Sequence, residues 1–155
     1  MRTITPPLRF QNFLVRTDDA TPGQSNIQFL FPTDSLIAFV FAEVSFICPT
    51  ATFATISINL GSQGSAGFAD NQQSTAIMKF AHANLHATVP SLTAQFQNTI
   101  QLDYMMVKAS TTLNITRNTL QSAGQTSSVV GNVSLGFIPL SEWVNFREPG
   151  TTVRL

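Results

Sequence analysis

The sequence predicts an all-β fold, a single-domain antiparallel β-sandwich or jelly roll of seven or eight strands. The first observation is composition: charged residues make up only 10% of the 155 residues, and 54 residues are Thr, Ser, Gln or Asn. An average domain is about 25% charged. The second is the alternation of apolar and polar side chains along most of the chain, which is typical of half-buried strands. The third is the placement of Pro and Gly, which end the apolar runs and join them through turns.

We expect the chain to divide into three segments. Residues 1–25 are predicted to form an N-terminal arm, because Pro6 and Pro7 favour an extended backbone and the apolar residues after them lack a clear period. Residues 26–140 are predicted to form the β-domain, and residues 141–155 a C-terminal turn and tail. The apolar side chains of the arm must be buried either on their own domain or on a neighbouring subunit.

The first half of the β-domain contains three apolar runs. One ends at Pro32, and a long one, residues 36–48, ends at Pro49, since proline is excluded from the interior of a sheet. The third, residues 54–60, alternates cleanly and predicts an amphipathic strand.

The long run changes its pattern along the way. Ile37, Phe39 and Phe41 are predicted to share one face, but past Glu43 the bulky residues fall on the other parity. Either a β-bulge shifts the register there or both faces of the strand are covered.

The second half predicts further strands and two short helical turns. Ser91 is a candidate cap for one helical turn through Phe96, and Ser141 for another that holds Trp143. Residues 121–128 are polar and contain glycine, which indicates a loop. The predicted strands are residues 76–83 (with a short helix as the alternative), 100–106, 111–117, 129–137 and a short one at 151–155.

The charge balance narrows the function classes. Net charge is zero at pH 7, so little electrostatic repulsion keeps copies apart. This favours a protein that associates with itself over a moderately soluble monomer. It also argues against nucleic-acid binding, which needs a cationic stripe. We find no apolar stretch long enough to span a membrane and no signal-peptide pattern, and therefore expect synthesis in the cytoplasm.

A search for chemistry yields no catalytic residues, no metal site, no cofactor and no small-molecule substrate. Glu43 and Asp103 are the only acids inside predicted strands, and no pattern brings them together across a cleft, as a glycosidase would require. His82 and His86 share a face but lack a third zinc ligand. Cys48 lies in an apolar run and is predicted to be a small buried hydrophobe. We therefore expect a protein that is not an enzyme.

The chain resembles the small jelly-roll and β-sandwich proteins of virus particles, and most of all the cement (decoration) proteins on the heads of tailed bacteriophages. The resemblance extends over the whole chain and concerns its general sequence character, with no motif of one particular family. It is carried by strands that end in Phe31-Pro32 and Ile138-Pro139, by faces rich in Thr, Ser, Asn and Gln, and by an apolar arm at residues 1–15. It implies a structural protein on the capsid surface of a virion. Such proteins form homo-oligomers, often trimers, that lie over joints between subunits of a major capsid protein.

Five apolar residues near the termini are the candidate interface residues, because aromatic and large apolar side chains tend to dominate interface energetics. They are Phe10, Phe13, Leu14, Trp143 and Phe146. The alternative is that they pack within their own subunit. Two other function classes stay open: a different virion part (a coat jelly roll, or a tail or fibre module), and a carbohydrate-binding β-sandwich module. The single Trp and single Tyr weigh against sugar binding, which relies on exposed rings of these types.

Overall fold

The computed structural model describes residues 8–16, 23–62, 74–119, 121–122 and 125–145. These residues form ten strands and one short helix. In chain order they are β1 (Arg9–Val15), β2 (Gly23–Leu30), β3 (Ser35–Pro49), β4 (Thr52–Ser62), β5 (Ser74–Asn84), β6 (Ser91–Val107), β7 (Thr111–Thr119), β8 (Gln121–Ser122), β9 (Gln125–Thr126), β10 (Ser128–Pro139) and α1 (Leu140–Asn145).

Eight of the strands form two four-stranded antiparallel sheets. The front sheet has the order β1-β10-β3-β6, and the back sheet has the order β2-β7-β4-β5. The pairs β1–β10, β2–β7, β3–β6 and β4–β5 are nested in sequence, as if one long hairpin had been rolled up. This connectivity is that of a jelly roll, so the predicted fold class is confirmed. β8 and β9 form a separate two-stranded pair.

The core lies between the two sheets and consists of alternate residues of each strand. In β4 the inward residues Ala54, Ile56 and Ile58 are fully buried, and they face β3 residues of the same kind. The sandwich is closed along one side, where the rings of Phe80 and Phe96 stack at 5.7 Å. Burial of this apolar surface, at roughly 25 cal/mol per Å², is the main force that holds the sheets together.

The predicted shared face of Ile37, Phe39 and Phe41 is wrong. The pairing of β3 with β6 shifts between Ile37 and Phe39, so a bulge at Ala38 inverts the parity of the strand. Ile37 is therefore in the core, whereas Phe39 and Phe41 lie on the outer face, and Val40 takes the inward position. The irregularity expected near Glu43 thus lies five residues earlier.

Other predicted elements differ in detail. The helical turn expected at Ser91 is wrong, because Ser91 begins the 17-residue strand β6. The expected loop at 121–128 contains the short β8–β9 pair, and β10 begins at Ser128. The strand at 76–83 is confirmed within β5. The C-terminal turn is confirmed as α1, which starts one residue before Ser141. The strand predicted at 151–155 lies outside the described residues.

The segment predicted as an arm contributes to the jelly roll. β1 pairs with β10 over its whole length, from Arg9 opposite Phe137 to Val15 opposite Gly131. β2 begins at Gly23, ahead of the predicted domain boundary. In the described part of the chain, no helix is long and apolar enough to cross a membrane.

Candidate assembly surface

The outer face of the front sheet carries several large, exposed apolar side chains. Four large residues on it are about half exposed or more: Phe10 (63%), Leu14 (55%), Val130 (49%) and Ile47 (48%). They come from three adjacent strands, β1, β10 and β3. We call this surface the docking face. Its rows are set by the strand register and contain Phe10, Asn12 and Leu14 of β1, Ser128, Val130, Asn132, Ser134 and Gly136 of β10, Phe39, Phe41, Glu43, Ser45 and Ile47 of β3, and Thr93, Gln95, Gln97, Thr99 and Gln101 of β6.

The polar part of the docking face is almost free of charge. Glu43 is the only ionisable residue in these rows. Between the apolar residues of β1 and β3 runs a short hydrogen-bonded ladder, in which Asn132 Nδ2 donates to Ser134 Oγ (3.2 Å) and Ser134 Oγ donates to Asn12 Oδ1 (2.7 Å). Because these polar groups are already paired with one another, covering them costs less than covering free groups.

A close packing of rings fixes one corner of the face. The ring of Phe39 lies over Gly136, where an added Cβ would come within 2.4 Å of a ring carbon. Phe39 in turn contacts Phe10, with the ring centroids 6.0 Å apart. The absence of a side chain at Gly136 leaves room for this close approach, and the result is a ring pair of which Phe10 remains exposed.

The structure separates the predicted interface residues. Phe10 and Leu14 point outward on the docking face. Phe13 is 9% exposed and belongs to the core, where its ring packs against Phe29 at 5.8 Å. The side chain of Trp143 and all of Phe146 lie outside the described residues. The alternation within β1 explains the split, since neighbouring residues of a strand point to opposite faces.

The two edges of the front sheet differ in a way that the sequence did not reveal. β6 carries a bulge in which two consecutive non-glycine residues, Asp103 (φ 46°) and Tyr104 (φ 59°), adopt left-handed backbone conformations. Such a bulge blunts an edge strand against pairing. β1 at the other edge contains no Pro, Gly or Lys that would hinder pairing.

A cavity of about 590 Å³ opens on the side where β1 and β2 form the two sheet edges. Its apolar lining includes Phe10, Phe29 and Phe137, and its rim carries an ion pair between Arg9 and Glu142. Arg9 Nε also donates to Glu142 Oε2 (3.1 Å). We call it the open-edge cavity. A second depression, of about 570 Å³, lies at the β6–β7 turn and includes Met105 and Lys108.

The residues weighed for chemistry are not brought together. Glu43 pairs with Gln97, and Asp103 lies in the β6 bulge opposite Ala38, five residues from Glu43 along β3, which separates the two backbone positions by ~17 Å. This is too far for the paired acids of a glycosidase. Within the described ranges there is no group of three or more His, Cys, Asp or Glu that could hold a metal ion.

The histidines and the cysteine have separate structural surroundings. His82 points inward beside Phe46, with the rings 6.3 Å apart, whereas His86 is exposed in the loop after β5. Cys48 is fully buried, as predicted, and its Sγ is 3.5 Å from the carbonyl oxygen of His82. Burial raises the pKa of this thiol above its usual value, which keeps it in the unreactive, protonated form.

No family model and no curated protein matches the chain. Solved structures of infectious bursal disease virus match at low identity. The Gx strain structure is 15% identical with a TM-score of 0.36 over 83% of this chain, and the VP2 subviral particle is 14% identical with a TM-score of 0.35 over 83%. In both cases the chain spans about a third (32%) of the solved chain. Likeness at this level carries no argument about function.

Proposed function

We propose that this chain is a non-enzymatic structural protein of a virus particle, and that it acts as a capsid cement or decoration protein. Its docking face would cover a neighbouring surface of a major capsid subunit and hold the joint between subunits. The observation that carries the proposal is the set of four exposed apolar residues on a sheet face whose rows contain one ionisable group. Such a surface is costly to leave in water and inexpensive to bury.

The size of the docking face is suited to a repeated contact. Four strands spaced ~4.8 Å apart, and nine residues of β3 at ~3.4 Å each, span roughly 500 to 600 Å² in projection. A standard interface buries about 800 Å² on each partner. A single contact would therefore be modest. Many copies on one particle, linked as homo-oligomers, would hold firmly through avidity.

The fold is compatible with the proposal and with one competitor. Jelly rolls occur both in viral capsid proteins and in lectins, so the fold alone does not choose between them. Sugar binding favours exposed Trp or Tyr. On the docking face the exposed ring is Phe10, which has no polar group with which to orient a sugar. The docking face therefore fits a protein surface better than a glycan.

The proposal is tested with substitutions on the docking face. Leu14→Asp and Val130→Asp each place a charge among the exposed apolar residues. Asn118→Asp adds the same charge at an exposed position of the back sheet and serves as the matched control. Purified variants are mixed with particles from the virus that encodes the chain, stripped of the endogenous protein, and bound protein is measured after sedimentation.

We expect the two docking-face variants to bind about 10- to 100-fold more weakly, as burial of one large apolar side chain contributes about 1.5–3 kcal/mol. Asn118→Asp should bind like the unmodified chain. Circular dichroism must show that all variants are folded. If the chain never co-purifies with particles, or if all three variants bind alike, the proposed function is wrong.

A further inference from the structure

Leu85 is the most exposed large hydrophobic residue of the described chain, with 84% of its surface accessible. It lies in the loop between β5 and β6, and its neighbours His86, Ala87 and Thr88 are also exposed. A single exposed leucine needs no explanation by itself. This one differs because the loop that presents it is held rigidly.

The buried amide of Asn84 holds the loop. Asn84 is fully buried, and its Nδ2 donates to the carbonyl oxygens of Cys48 (3.1 Å) and Val89 (2.9 Å). Its Oδ1 accepts from the backbone N–H of His86 (3.2 Å). Thr50 Oγ1 also donates to the carbonyl of Val89 (2.8 Å). These bonds tie both sides of the loop to the end of β3, so Leu85 projects as a fixed knob with little entropy left to lose on binding.

The open-edge cavity has an apolar floor that could accept such a knob. Its floor is formed by Phe29 and Phe137, whose rings pack 5.6 Å apart, and Leu30 stands at its mouth with 43% exposure. Its volume of about 590 Å³ is large enough to accept an inserted side chain, and polar residues such as Gln11, Thr33 and Ser35 line the rest of it. Apolar side chains that fill such pockets are typical anchors of interfaces.

The knob and the cavity also match in charge. The two charged groups at the rim, Arg9 and Glu142, neutralise each other. The loop between Asn84 and Ser91 contains no Lys, Arg, Asp or Glu. A charged peptide would gain nothing at this rim, whereas an uncharged loop with an apolar tip can enter without leaving a charge unpaired.

The two features lie at opposite corners of the jelly roll. Ser35 at the start of β3 lines the cavity, and Cys48 near its end holds the Leu85 loop, a separation of ~40 Å along the strand. In the back sheet, β2 beside the cavity and β5 before the loop are the two opposite edges. The Leu85 loop of one molecule therefore cannot reach the cavity of the same molecule, whereas the loop of a second copy can.

We propose that Leu85 of one copy inserts into the open-edge cavity of the next, so that copies associate head to tail. This inference rests on the self-association included in the proposed function and names the contact that produces it. The contact is heterologous, and such contacts close into a ring or continue as a filament, depending on the rotation between neighbours.

The test uses two single variants and their mixture. Leu85→Asp removes the knob and keeps the cavity, while Leu30→Asp places a charge at the edge of the cavity and keeps the knob. Mass is measured by analytical ultracentrifugation over a wide concentration range. Each variant alone should be monomeric at concentrations about 10- to 100-fold above those at which the unmodified chain associates. Asn118→Asp, on the outer face of the back sheet, should associate like the unmodified chain.

Mixing the two variants should restore one contact and no more, because each retains one intact half. The expected product is a 1:1 heterodimer with twice the chain's mass of 16.9 kDa, and the double variant Leu30→Asp/Leu85→Asp should stay monomeric in every mixture.

Association that both variants retain would overturn the head-to-tail contact but leave self-association intact. Loss in Leu30→Asp alone would mean that the cavity takes a different group, and a chain that is monomeric throughout would also overturn the contact. Particle binding by Val130→Asp is read separately and judges the docking face.

Discussion

Substituting the two glycines of β10 that face β3 tests the packing of the front sheet. At Gly131 an added Cβ would lie 2.3 Å from the backbone carbonyl oxygen of Glu43 and 2.9 Å from the Cα of Val44. At Gly136 the nearest atoms, from 2.4 Å, belong to the ring of Phe39. The first obstacle is backbone in the middle of a sheet. The second is a side chain on the outer face that can turn away.

The two substitutions should therefore differ in cost. To reach ordinary contact distance, Gly131→Ala must move β10 and β3 apart by about 1 Å, which combines overpacking of about 1–3 kcal/mol with the weakening of about one ladder hydrogen bond. Part of this is offset by the smaller entropy of the unfolded chain. We expect a net loss of about 2–3 kcal/mol for Gly131→Ala. Gly136→Ala should lose about 1 kcal/mol at most, mainly the ring contact between Phe39 and Phe10.

Urea unfolding followed by circular dichroism measures both effects. The midpoint should fall strongly for Gly131→Ala and slightly for Gly136→Ala, with the slope m unchanged. Thermal unfolding should show a decrease of roughly 5–10 °C for Gly131→Ala, given a chain of this length. The reasoning is refuted if Gly131→Ala is as stable as the unmodified chain, or if Gly136→Ala costs as much.

Three further predictions concern polar and titratable groups. Asn84→Ala removes the side-chain donor to the carbonyl of Cys48 and one of the two donors to the carbonyl of Val89, and should lower the free energy of unfolding by about 2–4 kcal/mol in urea titrations, whereas Asn118→Ala should not. The backbone N–H of Ala109 and the Lys108 ammonium lower the pKa of Asp34 below 3.8. The contribution of this carboxylate to stability is therefore present above pH ~4 and is lost as pH falls through the lowered pKa. Asp34→Asn should shrink the difference between the urea midpoints at pH 7 and pH 2, and an unchanged difference would contradict this. Cys48 should react with a thiol reagent only at the rate of unfolding, and fast labelling of the folded chain would show that the site is open.

The sequence predicted the fold class because strand alternation and proline placement are local properties. The run at 54–60 alternates without interruption, and β4 (Thr52–Ser62) contains it with the predicted inward residues. Pro32 and Pro49 lie at strand ends as expected. The failure at Ser91 has a physical cause as well: a serine before apolar residues caps a helix only where the chain is free to turn, and pairing with β3 holds this segment extended.

The candidate surfaces were less accessible to prediction. Phe10 and Leu14 were predicted as interface residues from their apolar character, and they lie on the docking face. Arg117 was missed, since nothing local marks its position. It occupies an inward position of β7 opposite Ile56, is 4% exposed, and its Nη1 donates to the carbonyl oxygen of Arg16 at 2.9 Å.

By itself, the sequence determined that the chain forms alternating strands with few charges, because side-chain periodicity and composition require no knowledge of partners. The tertiary structure decided which parity of each strand faces the core. One bulge at Ala38 placed Ile37 in the core and Phe39 on the outer face. It also decided that Leu85 projects from a rigid loop and that a cavity opens between β1 and β2. Exposure and cavities arise from how distant segments meet, and strand periodicity carries no information about that.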